Sequence, residues 1–284
     1  MAEPINIYKR GNQAIITTNG ETYVIPVDQW ASFLNSDNLH QKVLTQIESL
    51  EPKEFPANSL AQFDPPLGNL ELWGAGVTYN RSREARMEEA KKSGGESFYD
   101  RIYEAERPEI FFKATSNRVV GSGYNVYIRK DSDWDVPEPE LTLFINSKGI
   151  IQGFTIGNDM SSRSIEGENP LYLTQAKLYD GCASLGPSLF VPQDLTNFVA
   201  EIELVIIRNG DVAFQGKTSS SQMKRTFEEL VEYLFRECVF ENGCFLMTGT
   251  GIIPSDDFTL QVNDEIRISI DPIGTLVNVV ARRD

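Results

Sequence analysis

Three carboxylates in one short stretch stand at a spacing that can hold a divalent cation. The stretch is DSDWDVPEPELTLFINSKGIIQGFTIGNDMSSR, and the acids are Glu138, Glu140 and Asp159. Residues two apart on a strand project from one face, so Glu138 and Glu140 point the same way. Val136 shares that face, while Pro137 and Pro139 take the other. Two prolines fit an edge or a strand entrance, where missing N–H groups need no ladder partner. LTLFIN, Ser147-Lys148-Gly149 and IIQGFTIGND together read as a hairpin. With Lys148-Gly149 as a two-residue loop, Glu138 faces Asp159 across the ladder. A slip of one residue would turn Asp159 to the opposite face. Three anions meeting there repel one another, and a bound cation removes that penalty. All-oxygen ligands favour Mg2+, Mn2+ or Ca2+ over zinc or copper. The plainer reading of the same residues is an acidic hairpin end in solvent.

Two further segments carry polar groups suited to a ligand. LYLTQAKLYDGCASLGP holds Lys177 and Asp180. A lysine partly desolvated beside a cation favours its neutral form and suits a general base; a surface lysine is the bland alternative. CFLMTGTGIIP places Thr248 and Thr250 in a glycine-flanked loop. Such loops offer backbone N–H groups and hydroxyls to an anion, although a simple turn explains them equally well. The chain has a single histidine, His40. A His-rich zinc site cannot be built, nor a Ser-His-Asp triad unless His40 serves it. Leu39, Val43, Ile47 and Leu50 recur at helical spacing and leave His40 beside an apolar stripe, a structural position. A general base is therefore a lysine or a carboxylate. Cys182, Cys238 and Cys244 are odd in number, lack metal-ligand spacing, and read as reduced thiols.

A mostly β chain must position these groups. It has 284 residues, with 26 Lys and Arg against 41 Asp and Glu, a net charge of −15. An acidic surface repels phosphate backbones, so nucleic acid is not an expected partner. No run of roughly 18 apolar residues exists to span a membrane. The start, MAEPINIYKRG, lacks a signal-peptide apolar region, and a cytoplasmic location is the expectation. Residues 1–67 read as a small α+β domain. Strands at 14–18 and 22–25 flank the turn Asn19-Gly20, short helices follow at 30–34 and 39–50, and a Pro-rich linker runs to Leu67. Residues 68–284 read as the larger, β-rich domain, giving an α+β, mostly β fold class. Its strands are expected at 109–113, 126–128, 140–145, 150–156, 200–207, 212–217, 244–248, 265–270 and 274–280. RSREARMEEAKKSGG reads as a charged helix. SQMKRTFEELVEYLFREC reads as an amphipathic one, with Met223, Phe227, Leu230, Leu234 and Phe235 on its core face.

The motifs together resemble the fumarylacetoacetate hydrolase superfamily. They are Glu138-x-Glu140, the run from Gly153 to Asn158-Asp159, Lys177-x-x-Asp180 with LGP, Thr248-Gly249-Thr250, and the ending DEIRISIDPIGTLVNVV. The resemblance covers roughly residues 69–284. It implies a mixed β-sandwich or β-roll catalytic domain, assembled as a homodimer or homotetramer. It also implies Mg2+ on Glu138, Glu140 and Asp159, and a 2-oxo acid or 1,3-diketone that chelates the metal. Hydrolytic members carry a motif like N-Y-x-x-H-x-x-E. Here the stretch is VTYNRSREARMEEA, with Ser82 at the histidine position. Water activation by that histidine is absent, which speaks against C–C bond hydrolysis.

GVTYNRSREAR, YEAERPEIFFKAT and MTGTGIIP look closer to the branch that dehydrates 2-keto-3-deoxy-D-arabinonate. That branch implies loss of water from a 2-keto-3-deoxy sugar acid, giving 2-oxoglutarate semialdehyde from the pentonate. The metal would act as a Lewis acid and stabilise an enolate, with Lys177 taking a C3 proton before the C4 hydroxyl leaves. Glu109, in RPEIFFK, is the candidate acid or hydroxyl-orienting group; a charge paired with Arg107 or Lys113 is its bland reading. Arg81, Ser82, Lys113, Asp180 and Thr250 are candidate substrate contacts, and residues 83–103 a candidate lid. Acylpyruvate hydrolysis, oxaloacetate decarboxylation and keto–enol isomerisation are rival chemistries of the superfamily. A non-catalytic binding protein of the same fold predicts a broken carboxylate set, whereas all three acids are present.

Overall fold

The computed structural model describes residues 4–54, 62–82, 84, 103–196 and 198–283. Alternating residues build two mixed sheets, as expected for a mostly β chain. The strands are β1 (Ile5–Arg10), β2 (Gln13–Thr18), β3 (Glu21–Pro26), β4 (Leu72–Gly76), β5 (Glu109–Ala114), β6 (Val119–Val120), β7 (Asn125–Tyr127), β8 (Asp135–Ile145), β9 (Ile151–Ser162), β10 (Ala183–Val191), β11 (Glu201–Arg208), β12 (Asp211–Ser219), β13 (Cys244–Met247), β14 (Glu265–Ile270) and β15 (Gly274–Ala281). The helices are α1 (Trp30–Leu34), α2 (Leu39–Ile47), α3 (Arg163–Glu168), α4 (Leu173–Lys177) and α5 (Phe227–Phe235). The larger sheet runs β3-β2-β1-β10-β9-β8-β13-β4-β5, with β6 beside β10; the smaller runs β12-β11-β14-β15-β7. No helix among the described residues is long and apolar enough to cross a membrane.

The larger sheet is apolar on both faces, which is why β8 is buried from end to end. Leu141, Leu143 and Ile145 pack toward Leu204, Ile206, Ile266 and Ile268 of the smaller sheet, with Leu230 and Leu234 of α5. Phe144, on the other face, joins Phe245, Met247, Leu185 and Leu189 in a second cluster with Ile5, Ile7, Trp30 and Val43. Strict alternation therefore sends Glu138 and Glu140 to the same side as Phe144, the side covered by α1 and α2. His40 is buried on α2 beside Leu39 and Val43. The N-terminal hairpin turns at Asn19 and Gly20, both with positive φ (54° and 75°), as a tight hairpin turn requires. It continues the larger sheet, because β1 pairs with β10.

Several elements differ from expectation, among them β1 and β6, strands where the sequence pattern indicated none. β10 is not legible in the pattern, because Gly186-Pro187 reads as a strand breaker; the strand absorbs the pair with a register shift between Gly186 and Phe190. The helix expected over 221–238 is confined to Phe227–Phe235. Thr226 caps it, its hydroxyl accepting from the Glu229 N–H at 3.1 Å, and Thr226-x-x-Glu229 is a capping-box start signal. Met223 still packs on the core, from an extended segment before the cap. The charged helix expected over 81–95 and the lid over 83–103 fall almost entirely outside the described residues.

Candidate active site

The β8–β9 hairpin has the register that the carboxylate argument requires. Glu138 pairs with Asp159 and Glu140 with Gly157. The turn that produces it is not the two-residue loop expected. Asn146 N–H donates to Ile150 O at 3.0 Å, leaving the three-residue loop Ser147-Lys148-Gly149. Asn146 Oδ1 accepts from Lys148 and Ile150 N–H groups, and Gly149 takes φ +74°. The shift this introduces is cancelled within three residues: Ile145 pairs with Ile151 and Phe144 with Gly153, so Gln152 is bulged out. The bulged side chain accepts from Leu39 N–H at 2.9 Å near the start of α2. Beyond the end of β13, which reaches only Thr142 on β8, the prolines Pro137 and Pro139 meet no second ladder among the described residues.

Glu138, Glu140 and Asp159 are buried, and one oxygen from each lies within 4.8 Å of the others. Oxygens at about 2.1 Å from one Mg2+ lie at most about 4.2 Å apart, so a small contraction closes the set on such an ion. The protein also supplies cations of its own. Lys177 Nζ lies 2.7 Å from Glu138 and 3.0 Å from Asp159, and donates to Ser161 Oγ at 2.7 Å. Arg163 reaches the other Glu138 oxygen at 3.1 Å. Lys113 pairs with Asp159 from behind. Repulsion among the acids is thus partly relieved without a metal. Burial opposes ionisation of Asp159, but Lys113 and Lys177 outweigh it and hold that carboxyl below its ordinary value. Glu140 is the exception. No ion pair of Glu140 is found among the described residues, and its hydrogen bond comes from the Gly249 N–H at 2.5 Å. Burial, then Asp159 and Glu138, push its carboxyl well up, against Lys177 and that amide. A hard cation coordinated by these oxygens would satisfy Glu140, so the donor set fits Mg2+.

A narrow cleft opens beside the carboxylates, lined among others by Gly76, Ser82, Phe111, Lys177, Gly249 and Thr250. The Lys177 ammonium sits 5.7 Å over the Phe111 ring. Glu109 pairs with Gly76, and its carboxyl packs where a Gly76 Cβ would stand, at 2.5 Å. Ser82 Oγ donates to Tyr79 O at 2.7 Å and accepts from its N–H at 3.1 Å. Thr250 faces the cleft while its hydroxyl bonds to the backbone of Ile252.

Three expected substrate contacts stand elsewhere. Lys113 shares a strand face with Glu109 and Phe111 but lies under Asp159, fully buried. Its ammonium donates to Asp159, to Met160 O at 3.0 Å and to Lys177 O, which leaves no proton for a ligand. Asp180 is three residues after Lys177, but α4 ends at Lys177 and the chain extends at Leu178, so Asp180 swings outward. There it pairs with Arg118 at 3.3 Å and Arg283 at 2.5 Å. Arg81 is exposed and pairs with Glu84 at 3.6 Å, because its neighbour Ser82 takes the inward position. Phe111, Ser161, Arg163 and the Gly249 amide were not anticipated. Strand alternation from Asp159 reaches Ser161 and then Arg163, so that signal was present.

The fumarylacetoacetate (FAA) hydrolase C-terminal family model matches residues 77–281. The chain belongs to the fumarylacetoacetate hydrolase family. Its named curated relatives are dehydratases, and it is an enzyme of that class. It is 42% identical over 233 residues to 2-dehydro-3-deoxy-D-arabinonate dehydratase of Saccharolobus solfataricus, covering 81% of this chain and 78% of that protein. It is 46% identical over 216 residues to a probable 2-keto-3-deoxyxylonate dehydratase of Haloferax volcanii, covering 76% and 73%. A solved structure of 2-keto-3-deoxy-D-arabinonate dehydratase complexed with magnesium and 2,5-dioxopentanoate superposes with a TM-score of 0.82 at 34% identity, covering 99% of both chains. The Ser82 hydroxyl is engaged with the Tyr79 backbone.

Proposed function

We propose that this protein is a Mg2+-dependent dehydratase acting on a 2-keto-3-deoxy sugar acid such as 2-keto-3-deoxy-D-arabinonate, with 2-oxoglutarate semialdehyde as product. The observation that carries the reading is the convergence of Glu138, Glu140 and Asp159 with Lys177 in one buried cleft. The likeness to a relative complexed with magnesium and 2,5-dioxopentanoate, which is that semialdehyde, supports it. Glu138, Glu140 and Asp159 would hold the cation. Bound there, Mg2+ supplies a Lewis acid for the 2-oxo group of the substrate.

The remaining steps belong to this chain's side chains. Lys177 takes the C3 proton. Its ammonium is held by two carboxylates in this structure; a divalent cation beside it opposes that charge and favours the neutral amine. Glu109, behind Gly76, protonates the departing C4 hydroxyl, which leaves as water and gives the 5-hydroxy-3-ene. The Glu109 carboxylate then takes a C5 proton while Lys177 returns its proton to C3, which yields the semialdehyde. Ser82 and Thr250 line the path. The apolar face of Phe111 limits water around the amine.

The test is to incubate protein and Mg2+ with 2-keto-3-deoxy sugar acids, oxaloacetate and acylpyruvates. Semialdehyde formation is expected, with turnover at least about a hundredfold lower in Lys177→Ala, the scale of losing a general base. Turnover of acylpyruvate or oxaloacetate alone would overturn the reading.

A further inference from the structure

The break in the long helix expected over 221–238 falls where the chain crosses the two ends of one connection. β4 and β5 are ladder neighbours, and the chain between them leaves after Gly76 and returns at Glu109. The outgoing end carries Thr78, Tyr79 and the cleft residue Ser82. The returning end runs from Tyr103 through Arg107 into Glu109. One tripeptide, Met223-Lys224-Arg225, grips both. On the outgoing end, Tyr79 and Met223 form a β-bridge, and Lys224 N–H donates to Thr78 O at 2.9 Å. On the returning end, Lys224 Nζ donates to Tyr103 O and pairs with Glu104 at 3.1 Å. Arg225 donates to Glu106 O at 3.1 Å and to Ala105 O. It also meets Glu229 at 2.5 Å, with only 9% of its side chain exposed. A guanidinium fork suits this work, since its rigid donors can hold two carbonyls and a carboxylate at once. The Lys224–Glu104 pair is more exposed and contributes less.

We propose that Arg225, assisted by Lys224, is a positioning residue: its side chain holds the returning end of the β4–β5 connection, through Ala105 O and Glu106 O, against a segment whose backbone holds the outgoing end, and so sets the strand end that carries Glu109 against the cleft wall that carries Ser82. The kinetic consequence rests on the proposed function, whereas the clasp itself is read without substrate.

The experiment is hydrogen exchange on the full-length, metal-free protein, followed by kinetics and Mg2+ calorimetry. In Arg225→Met, amides of residues 103–109 exchange at least about tenfold faster, while those of residues 78–82, held by the backbone of Met223 and Lys224, change less and those of β8 and β9 are unchanged. Glu229→Gln removes one partner of Arg225 but keeps the backbone contacts, and leaves both ends at wild-type rates. Arg225→Lys restores part of the protection. In Arg225→Met, kcat/KM falls about ten- to a hundredfold, the scale of a small misplacement of positioning groups, while Mg2+ affinity stays within about threefold. Wild-type exchange at residues 103–109 in Arg225→Met overturns the proposal. So does acceleration spread equally over β8 and β9, which marks general destabilisation, or an unchanged kcat/KM when the returning end loosens. If wild-type protein turns over no 2-keto-3-deoxy acid, the proposed function fails and the exchange data still decide the clasp.

Discussion

Glu138 faces Asp159 and is touched by two cations, Lys177 and Arg163. Removing its charge while keeping its shape tests it as a ligand. Glu138→Gln is expected to lower Mg2+ affinity at least about tenfold, measured by calorimetry; unchanged affinity would remove Glu138 from the ligand set. Three residues earlier, Asp135 tests burial by itself. Burial raises its carboxyl to about 6, against a Ser132 hydrogen bond and the charges of Arg282 and Arg129. The folded state then holds this proton more tightly than the unfolded chain, whose value is near 3.8. Stability at this site is therefore highest at low pH and falls as pH climbs from about 4 to about 6. The whole fall is at most about 3 kcal/mol. Asp135→Asn is expected to unfold at a higher temperature than wild type at pH 7.5, with the gap closing near pH 4. A gap independent of pH would refute this account.

At the scale of the element, one backbone amide supports the least compensated acid. The Gly249 N–H reaches Glu140 from a turn with φ +92°, and a Cβ there would meet Thr78 Oγ1 at 2.1 Å. Thr78 is itself fixed, its hydroxyl donating to Thr248 O at 2.7 Å. Gly249→Ala is expected to pull the amide off Glu140 and weaken Mg2+ binding more than it lowers the unfolding temperature. Full metal affinity in Gly249→Ala would show that Glu140 does not depend on this turn. The hairpin β8–β9 shows how local signals combine. Its loop is one residue longer than the turn residues indicate, yet the Gln152 bulge returns the same register at Glu138.

At the scale of the molecule, residues 1–67 do more than precede the catalytic portion. β1 pairs with β10, and Ile5, Ile7, Trp30 and Leu34 share one buried cluster with Leu185, Leu189 and Phe245. We propose that residues 1–67 and 68–284 are two units of sequence and one of stability. Residues 68–284 expressed alone would leave that cluster in water, and are expected to aggregate or to lose a cooperative thermal transition. A soluble 68–284 fragment that unfolds cooperatively at the wild-type temperature would refute it.

Alternation along a strand is a property of a few adjacent residues, so the shared face of Glu138 and Glu140 was legible from sequence alone. So was the facing of Asp159, because hairpin pairing is local and burial penalises a slipped register. The turn at Asn19-Gly20 and the core role of His40 were legible for the same reason. Lys113, Arg163 and the Gly249 amide were not read as supports of those acids. Each lies on a different element, and its approach depends on how distant strands pack. Asp180 was misplaced because nothing in its spacing tells where α4 stops. The clasp at Arg225 was hidden because its residues carry a helical pattern, and backbone carbonyls more than a hundred positions away compete for the same donors. The carboxylate set was therefore decided by sequence, and the tertiary structure decided which charges compensate it and which segments frame the cleft.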